Sequence, residues 1–349
     1  MIVALIPAHN ESDVIQAAIA SLHRQTLPPD QIIVVADNCT DDTIELAYAA
    51  GVEVFETVDN RHVKAGGLNQ ALRALLPGMA GDDFVLVMDA DGTLDPGFIE
   101  TAMTHAQADP MLGAVGGTFR GGPGGGLVGY LQRSEYARYA RDVRRLKGKC
   151  LVVTGTAAVM RVETLHVVSA ARLGGVLPAG DGRGGIYDTT VLTEDNELTF
   201  ALLHLGYRVL SPAGCTLETE VMLTWRALWN QRLRWKRGAI ENCLQYGLTK
   251  VTWRYWGRQV LTAVGILITA LYLSTLAVAF IFQTGMSVQP VWMAVTAIFV
   301  LERVVTVKDR GWKHAMLAAT MFEVAYDLYL QSIHARAYLD VCTSSERSW

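Results

Sequence analysis

The chain has 349 residues, room for more than one domain, and a formal net charge of −4, so it lacks the global basic signal of a nucleic-acid binder. Its hydrophobic fraction of 51% is high for a purely soluble enzyme, and the excess lies toward the C-terminus. The five cysteines are scattered, odd in number and without CxxC or Cys/His spacing, which argues against a disulfide framework and a zinc site.

Residues 2–6 form a short apolar run with no basic segment before it, predicting a first strand and not a signal peptide. The turn Pro7-Ala8-His9-Asn10-Glu11-Ser12 follows, and Asn10 or Ser12 suits the cap of a helix. Further strands are predicted at 31–36, ending at Asp37-Asn38, and at 52–55. Lys64-Ala65-Gly66-Gly67-Leu68-Asn69 opens a helix that runs through Leu76. The fourth strand, Phe84-Val85-Leu86-Val87-Met88, is a continuous apolar run of the kind buried on both faces, and it ends at Asp89-Ala90-Asp91. Alternating strands and helices place the chain in the α/β class with a mostly parallel, Rossmann-like sheet. The polar clusters fall at strand carboxyl ends, which share one rim in such a sheet, so they are expected to line one cleft.

Two carboxylates one residue apart repel unless a cation lies between them. Mg²⁺ or Mn²⁺, held jointly by carboxylate and by phosphate oxygens of a substrate, is the natural partner; a solvated turn is the plainer alternative. Lys64 beside two glycines lets a cation and backbone N–H groups approach phosphates, and Asp37-Asn38 suits a nucleobase or ribose edge. There is no GxGxxG and no GxxxxGK[ST], so neither a dinucleotide fingerprint nor a P-loop is supported.

Beyond the acidic pair, a helix is predicted at 96–108, a strand at 114–119, a glycine breaker at 121–126 and a helix at 130–146. Most arginines of that helix (Arg133, Arg138, Arg141, Arg144, Arg145) read as a solvated face. A strand at 152–157 is interrupted by Gly155. Residues 174–185, rich in glycine, are expected to be a mobile loop that orders on substrate binding. Thr193 begins a helix running to Leu205. A helix dipole accounts for Glu194 in its first turn, and Asp195 beside it is a candidate general base. Gln231-Arg232-Leu233-Arg234-Trp235 lies on a predicted helix with Trp225 and Trp229, whose rings suit a membrane interface. Gln231 and Arg234 can neutralise an anionic group, and Trp235 offers a flat apolar face.

Residues 260–282 are long and apolar enough to span a bilayer. The weaker candidates are 291–307, with Glu302 and Arg303, and 315–330, whose Glu323 and Asp327 need a cation such as Arg303. Lys250, Arg254 and Arg258 precede the first span, the connection 283–290 is uncharged, and Arg303, Lys308, Arg310 and Lys313 follow the second. The positive-inside rule then gives a hairpin with an outer tip and a cytosolic catalytic part.

Taken together, Ile6-Pro7-Ala8-His9-Asn10-Glu11, Asp37-Asn38, Lys64 to Asn69, Asp89-Ala90-Asp91, Thr193-Glu194-Asp195 and the QxxRW of Gln231, Arg234 and Trp235 resemble the ordered motifs of family 2 glycosyltransferases of the GT-A fold. The resemblance implies an inverting transfer from a nucleotide-diphosphate sugar, most often a UDP-sugar, to a lipid, glycan or protein hydroxyl. Ala8, Glu11 and Asp37 would hold base and ribose, Lys64 the phosphates, with Asn10 and Asn69 also in the donor site. Asp91 would ligate the metal and Asp89 would face the sugar. Asp195 would be the base, with Glu194 beside it; Gln231 and Arg234 would assist departure of the nucleotide; Gly155, Thr156 and Trp235 would meet the acceptor. The corresponding boundaries are a catalytic domain at 1–220, interfacial helices at 221–258, a transmembrane region at 259–335 and a tail at 336–349. No spanning segment precedes the first strand in this sequence, unlike the layout of cellulose and hyaluronan synthases, so export of a long polymer through the chain is not expected. Two other readings compete. Asp89-Ala90-Asp91-Gly92-Thr93 matches the DxDGT of haloacid-dehalogenase-type phosphatases, a family that carries it on a first strand, and a non-catalytic membrane protein that binds nucleotide sugars would share the donor motifs.

Overall fold

The computed structural model describes residues 1–282, 290–307 and 311–343. They divide into two compact units: residues 1–125 with 139–222, and residues 126–138 with 223–349.

The first unit is an α/β unit. Its elements in chain order are β1 (Ile2–Ala8), α1 (Ile15–His23), β2 (Gln31–Ala36), α2 (Thr43–Ala49), β3 (Glu53–Glu56), α3 (Val63–Leu75), β4 (Phe84–Met88), β5 (Thr93–Leu94), α4 (Phe98–Ala108), β6 (Leu112–Gly116) and β7 (Thr118–Gly121). After α5 (Gly126–Arg145) come β8 (Ala157–Arg161), α6 (Val162–Leu173), α7 (Glu194–His204), β9 (Arg208–Leu210) and β10 (Thr216–Thr219). Seven strands form the main sheet in the order β3-β2-β1-β4-β8-β6-β9, and β5-β10-β7 form a small second sheet. The first four strands are parallel, with Leu5 opposite both Ile33 and Val87. β8 runs antiparallel to β4 and to β6. All five side chains of β4 are buried, as its unbroken apolar run requires.

Two local expectations are corrected here. The strand expected over 114–119 breaks at Gly117, so that β6 lies in the main sheet and β7 in the small one. A Cβ at Gly117 would sit 2.3 Å from Leu217 Cδ2 and 2.9 Å from Phe98 Cε2, so the crossing needs a residue without a side chain. The strand expected over 152–157 begins only at Ala157, because the N–H of Gly155 is turned out of the ladder toward a carboxylate described below.

The glycine-rich stretch after α6 also departs from expectation. Instead of a loose loop it is tied at several points. Ser169 Oγ donates to Gly184 O at 2.7 Å, Arg73 pairs with Asp181 at 3.1 Å, and Arg172 Nη1 and Nη2 donate to Pro178 O at 2.9 Å and Ile186 O at 3.0 Å. Arg172 also grips Glu197 of α7 with two bonds, at 3.1 and 2.6 Å, and both side chains are 0% exposed. Removing one member strands the other as a buried charge. Arg172→Met is therefore expected to destabilise the chain by about 3–5 kcal/mol, and the double variant Arg172→Met/Glu197→Leu to recover most of that loss. Chemical denaturation of the three variants checks this; equal losses in single and double variants would refute it.

The second unit holds the first part of α5 and then α8 (Trp225–Tyr246), α9 (Trp253–Ile281), α10 (Pro290–Val307), α11 (Trp312–Ala319) and α12 (Val324–Cys342). α8 starts at Thr224, whose hydroxyl accepts from Ala227 N at 3.2 Å, and packs along α12. Trp225 and Trp229 meet the ring of Tyr329 edge-on at 5.1 and 5.7 Å. α9 is the one helix among the described residues long and apolar enough to cross a membrane, and its apolar stretch is uncovered by protein. Its 29 residues span about 43 Å, more than the roughly 30 Å of bilayer hydrocarbon.

The third apolar segment, expected at 315–330, is split. α11 ends at Ala319, Met321 takes a positive φ of 58°, and α12 begins at Val324 and runs on to Cys342, past the tail boundary expected at 336. The break surrounds Glu323, which is buried and pairs with Arg138 at 2.7 Å and Arg303 at 2.8 Å; Asp327 also pairs with Arg303. The expected partnership of these carboxylates with Arg303 is thus present, and Arg138, read as part of a solvated face, joins it. The uncharged connection at 283–289 and the basic residues Lys308 and Arg310 lie outside the described residues.

Candidate functional site

The carboxyl ends of β1, β2 and β4 converge as parallel pairing dictates. The first two are stitched together by backbone and short side chains. Asp37 N donates to Ala8 O at 2.8 Å, His9 Nδ1 lies 2.6 Å from Asp37 O, and Asn10 Oδ1 accepts from Thr40 N at 2.7 Å. Asn10, expected on the donor or as a helix cap, thus braces one strand-end turn against the next. The helix it was expected to cap begins only at Ile15. Asp37 is buried, and three donors meet on its Oδ1: Thr57 Oγ1 at 2.7 Å, Asn60 Nδ2 at 2.8 Å and Asn38 Nδ2 at 3.1 Å. None reaches Oδ2 among the described residues.

The end of β4 meets the start of β8. Met88 is paired with Ala157, so the residues just outside this pair, Asp89 and Thr156, are neighbours, and Asp89 N donates to Thr156 O at 3.1 Å. Gly155 N in turn donates to Asp195 Oδ2 at 2.9 Å, and Asn196 N donates to Asp195 Oδ1 at 2.8 Å. Gly155 and Thr156 therefore act through their backbones, joining the acidic pair to the helix that bears Asp195. A Cβ at Gly155 would stand 2.9 Å from Lys64 Nζ and 3.5 Å from Asp195 Cβ, which explains glycine there.

Lys64, at the start of α3, is the cation at the centre of this arrangement. Its Nζ lies 2.5 Å from Asp89 Oδ1, 3.3 Å from Glu194 Oε1 and 3.4 Å from Gly155 O. Burial works against the ammonium, but Asp89, then Glu194 and Asp195, outweigh it and hold the group well above its ordinary value. Asn69 is buried and spends its amide on the backbone of Tyr187: Nδ2 donates to Tyr187 O at 2.8 Å and Oδ1 accepts from Tyr187 N at 2.9 Å. Those bonds fix the loop at Tyr187.

Two carboxylates stand far from their usual range. Burial pushes Asp91 up to about 7, and Asp89 adds to the shift, with Glu220 and Glu11 acting in the same direction against a bond from Thr219. Thr219 Oγ1 reaches Asp91 Oδ2 at 3.3 Å, while Asp91 Oδ1 is buried with no hydrogen-bond partner among the described residues. Burial likewise pushes Asp195 up to about 6; Glu194 raises it further, while Lys64 and the two backbone donors pull it down. Glu11 is raised by burial and then by Glu220, Asp89 and Asp41. No group of three or more His, Cys, Asp or Glu side chains suited to a metal occurs among the described residues. An orphaned, electrostatically strained oxygen on Asp91 still fits a divalent ion that takes one carboxylate from the protein and the rest of its shell from a bound ligand's phosphates and water.

The residues missed by sequence reasoning are Thr219 at the end of β10 and Glu220 just after it, Tyr187, and the pair Arg172–Glu197. The alternation Glu218-Thr219-Glu220 was the only local signal, and nothing in the sequence ties it to a site more than a hundred residues earlier.

Gln231, Arg234 and Trp235 lie on α8 in the second unit. There the organising side chain is Arg232, buried, which donates to Gln231 Oε1 at 2.5 Å and Glu135 Oε2 at 3.0 Å and stacks on the Trp235 ring at 4.3 Å. Arg234 and Trp235 are exposed.

Residues 3–168 match the family described as Glycosyl transferase family 2. Among curated proteins, the poly-beta-1,6-N-acetyl-D-glucosamine synthase of Staphylococcus aureus (strain MSSA476) is 27% identical over 247 residues, which are 69% of this chain and 55% of that protein. The protein of the same name from Staphylococcus epidermidis is 25% identical over the same length. The chain thus spans about half the length of these relatives. Among solved structures, the mannosyltransferase PcManGT from Pyrobaculum calidifontis, in complex with GDP-Man and Mn²⁺, superposes with a TM-score of 0.62 at 17% identity, covering 99% of this chain and 88% of that one. The likeness is one of fold.

Proposed function

We propose, from the premise that residues 3–168 are a glycosyl transferase family 2 domain on the expected GT-A fold, that the chain moves a sugar from a nucleotide-diphosphate donor to a hydroxyl acceptor at the rim of β1, β2 and β4. The observation that carries this reading is the joining of Asp89, Lys64, Glu194 and Asp195 through Gly155 and Thr156, which sets a donor-type acidic pair beside a buried carboxylate of raised basicity.

In this reading Asp37, with its free Oδ2, takes a ribose hydroxyl, and Ala8 and Glu11 border the base. Asp91 would hold Mg²⁺ or Mn²⁺ against the donor diphosphate; when bound, the ion neutralises charge on that group. Asp89 is oriented by Lys64 and faces the sugar. Asp195 takes the proton from the acceptor hydroxyl as its oxygen attacks the anomeric carbon. The nucleoside diphosphate leaves from the opposite side, so the anomeric centre inverts in one displacement. Gln231 and Arg234 are assigned to the leaving diphosphate and Trp235 to acceptor stacking; the exposure of Arg234 and Trp235 supports access by a ligand. An N-acetylglucosamine unit is supported by the name of the curated relatives, and a UDP donor by the resemblance of the motifs. α9 is assigned to the membrane, and the basic residues Lys250, Arg254 and Arg258 at its start support a cytosolic catalytic unit. No observation favours the phosphatase reading, whose nucleophile Asp89 would have to work while paired with Lys64.

The test is nucleotide release by the full chain in detergent from a panel of UDP- and GDP-sugars, with Mn²⁺, Mg²⁺ or EDTA. Release from a UDP-sugar that EDTA abolishes is the expected result. GDP-sugars as sole donors would overturn the nucleotide assignment, and phosphate release without a sugar nucleotide would overturn the class.

A further inference from the structure

The second unit gathers positive charge at the foot of the apolar stretch of α9. Residues 242–301 contain no Asp or Glu, yet Lys250, Arg254 and Arg258 stand among them. Neither these three nor Lys236 of α8 forms an ion pair among the described residues. The acidic side chains of the flanking helices are engaged within their own helix, Glu241 of α8 by Arg237 at 2.7 Å and Asp340 of α12 by Arg336 at 2.8 Å. Lys236 is half-buried where α8, α9 and α12 meet. Its Nζ donates to Gln259 Oε1 at 2.5 Å and lies 5.0 Å from the centre of the Tyr338 ring, while the Tyr338 hydroxyl donates to Gln259 O at 2.8 Å. Burial, and then the like charge of Arg258, push the Lys236 ammonium down to about 8.

Two cations brought together without a carboxylate repel, and an anion between them removes that repulsion. Their place on the helix says which anion. The apolar stretch of α9 begins at Val260, so Arg258 and Gln259 are the last polar residues before it, at the depth where a bilayer presents its phosphates. The bond to Gln259 fixes Lys236 at the same level. An ammonium carries three donors, of which Gln259 takes one, and the exposed guanidinium of Arg258 has the fork geometry that suits a phosphate. We infer that Lys236 and Arg258 form a binding site, between α8 and α9, for the phosphate of an anionic lipid headgroup. The inference rests on the assignment of α9 to the membrane and is independent of the transfer reaction.

The experiment reconstitutes the full chain in vesicles of phosphatidylcholine and phosphatidylglycerol, with bromine on the acyl chains of one lipid or of the other. Tryptophan quenching then reports which lipid lies against the protein, and Trp253 and Trp256 stand in the opening turns of α9 beside Arg258. The unaltered chain is expected to favour phosphatidylglycerol by about tenfold, the size of one charge-assisted hydrogen bond. Lys236→Gln and Arg258→Gln should each remove most of that preference. Lys250→Gln, which removes an exposed charge outside the site, should leave it in place. Thermal melting establishes that each variant compared is folded, and the exposed Arg258 is replaceable without disturbing a core. A preference that survives both site substitutions, or that Lys250→Gln removes equally, would overturn the inference in favour of diffuse attraction to the bilayer. A preference removed by excess inorganic phosphate would overturn the lipid as the ligand. Equal quenching by the two lipids would overturn the site while leaving the membrane assignment intact, and quenching by neither would overturn that assignment and the inference with it.

Discussion

Replacing Asp195 with asparagine is expected to lower transfer by about 10²–10⁴-fold, the range for loss of a general base, while donor affinity changes little. Asparagine is isosteric and its amide oxygen can still accept the bond that Gly155 N donates to the carboxylate at 2.9 Å, so the turn before β8 should keep its path, while the bond from Asn196 N is given up. What disappears is a carboxylate whose environment is tuned. Burial and the neighbouring Glu194 disfavour its charged form and raise it to about 6, and Lys64 keeps the shift from going further. The sign follows directly. Only the carboxylate accepts a proton, so kcat/KM should rise with pH through about 6 and level off above it, and the residual rate of Asp195→Asn should lack that step. Full transfer by Asp195→Asn, or an unaltered step in its pH profile, would remove Asp195 from the role of base.

Asp91→Ala should abolish the metal dependence of donor binding. Without a cation, Asp91 carries an orphaned oxygen in a buried place among Asp89, Glu220 and Glu11, and the cost of charging it is what pushes it up to about 7. A divalent ion held there would relieve that cost and displace the proton, so metal affinity should increase as pH rises through the same region. Mn²⁺ at about 100 times its dissociation constant would stabilise the unaltered chain by about 2.7 kcal/mol, and this shift should vanish in Asp91→Ala. The metal-free variant should be no less stable than the metal-free parent, because it loses an uncompensated buried carboxylate. Melting curves with and without Mn²⁺ give both results independently of turnover. A Mn²⁺ stabilisation that persists in Asp91→Ala would place the ion elsewhere.

The sequence by itself determined the class of fold and the identity of the charged motifs. The unbroken run Phe84 to Met88 could be buried only as a central strand, and a strand of that kind delivers whatever follows it, here Asp89 and Asp91, to the sheet's carboxyl rim. Thr193-Glu194-Asp195 sits at a helix start for equally local reasons, and α9 carries an apolar stretch long enough to span a bilayer. These signals act over a few residues, which is why they are legible.

Partner choice was decided only in three dimensions. Asn69 lies 118 residues from the Tyr187 backbone it holds, and Lys64 lies 91 residues from the Gly155 carbonyl it touches. No spacing rule reaches that far. The same holds for the glycine-rich loop, whose composition reads as mobile until Arg172 and Glu197 are seen gripping it and α7 together. It holds too for the third apolar segment, which breaks where Glu323 meets Arg138 and Arg303. Hydrophobic pattern fixes which elements form, because burial depends on local periodicity. Which buried polar group satisfies which other depends on how the sheet order folds distant segments together, and that information exists only once the chain has packed.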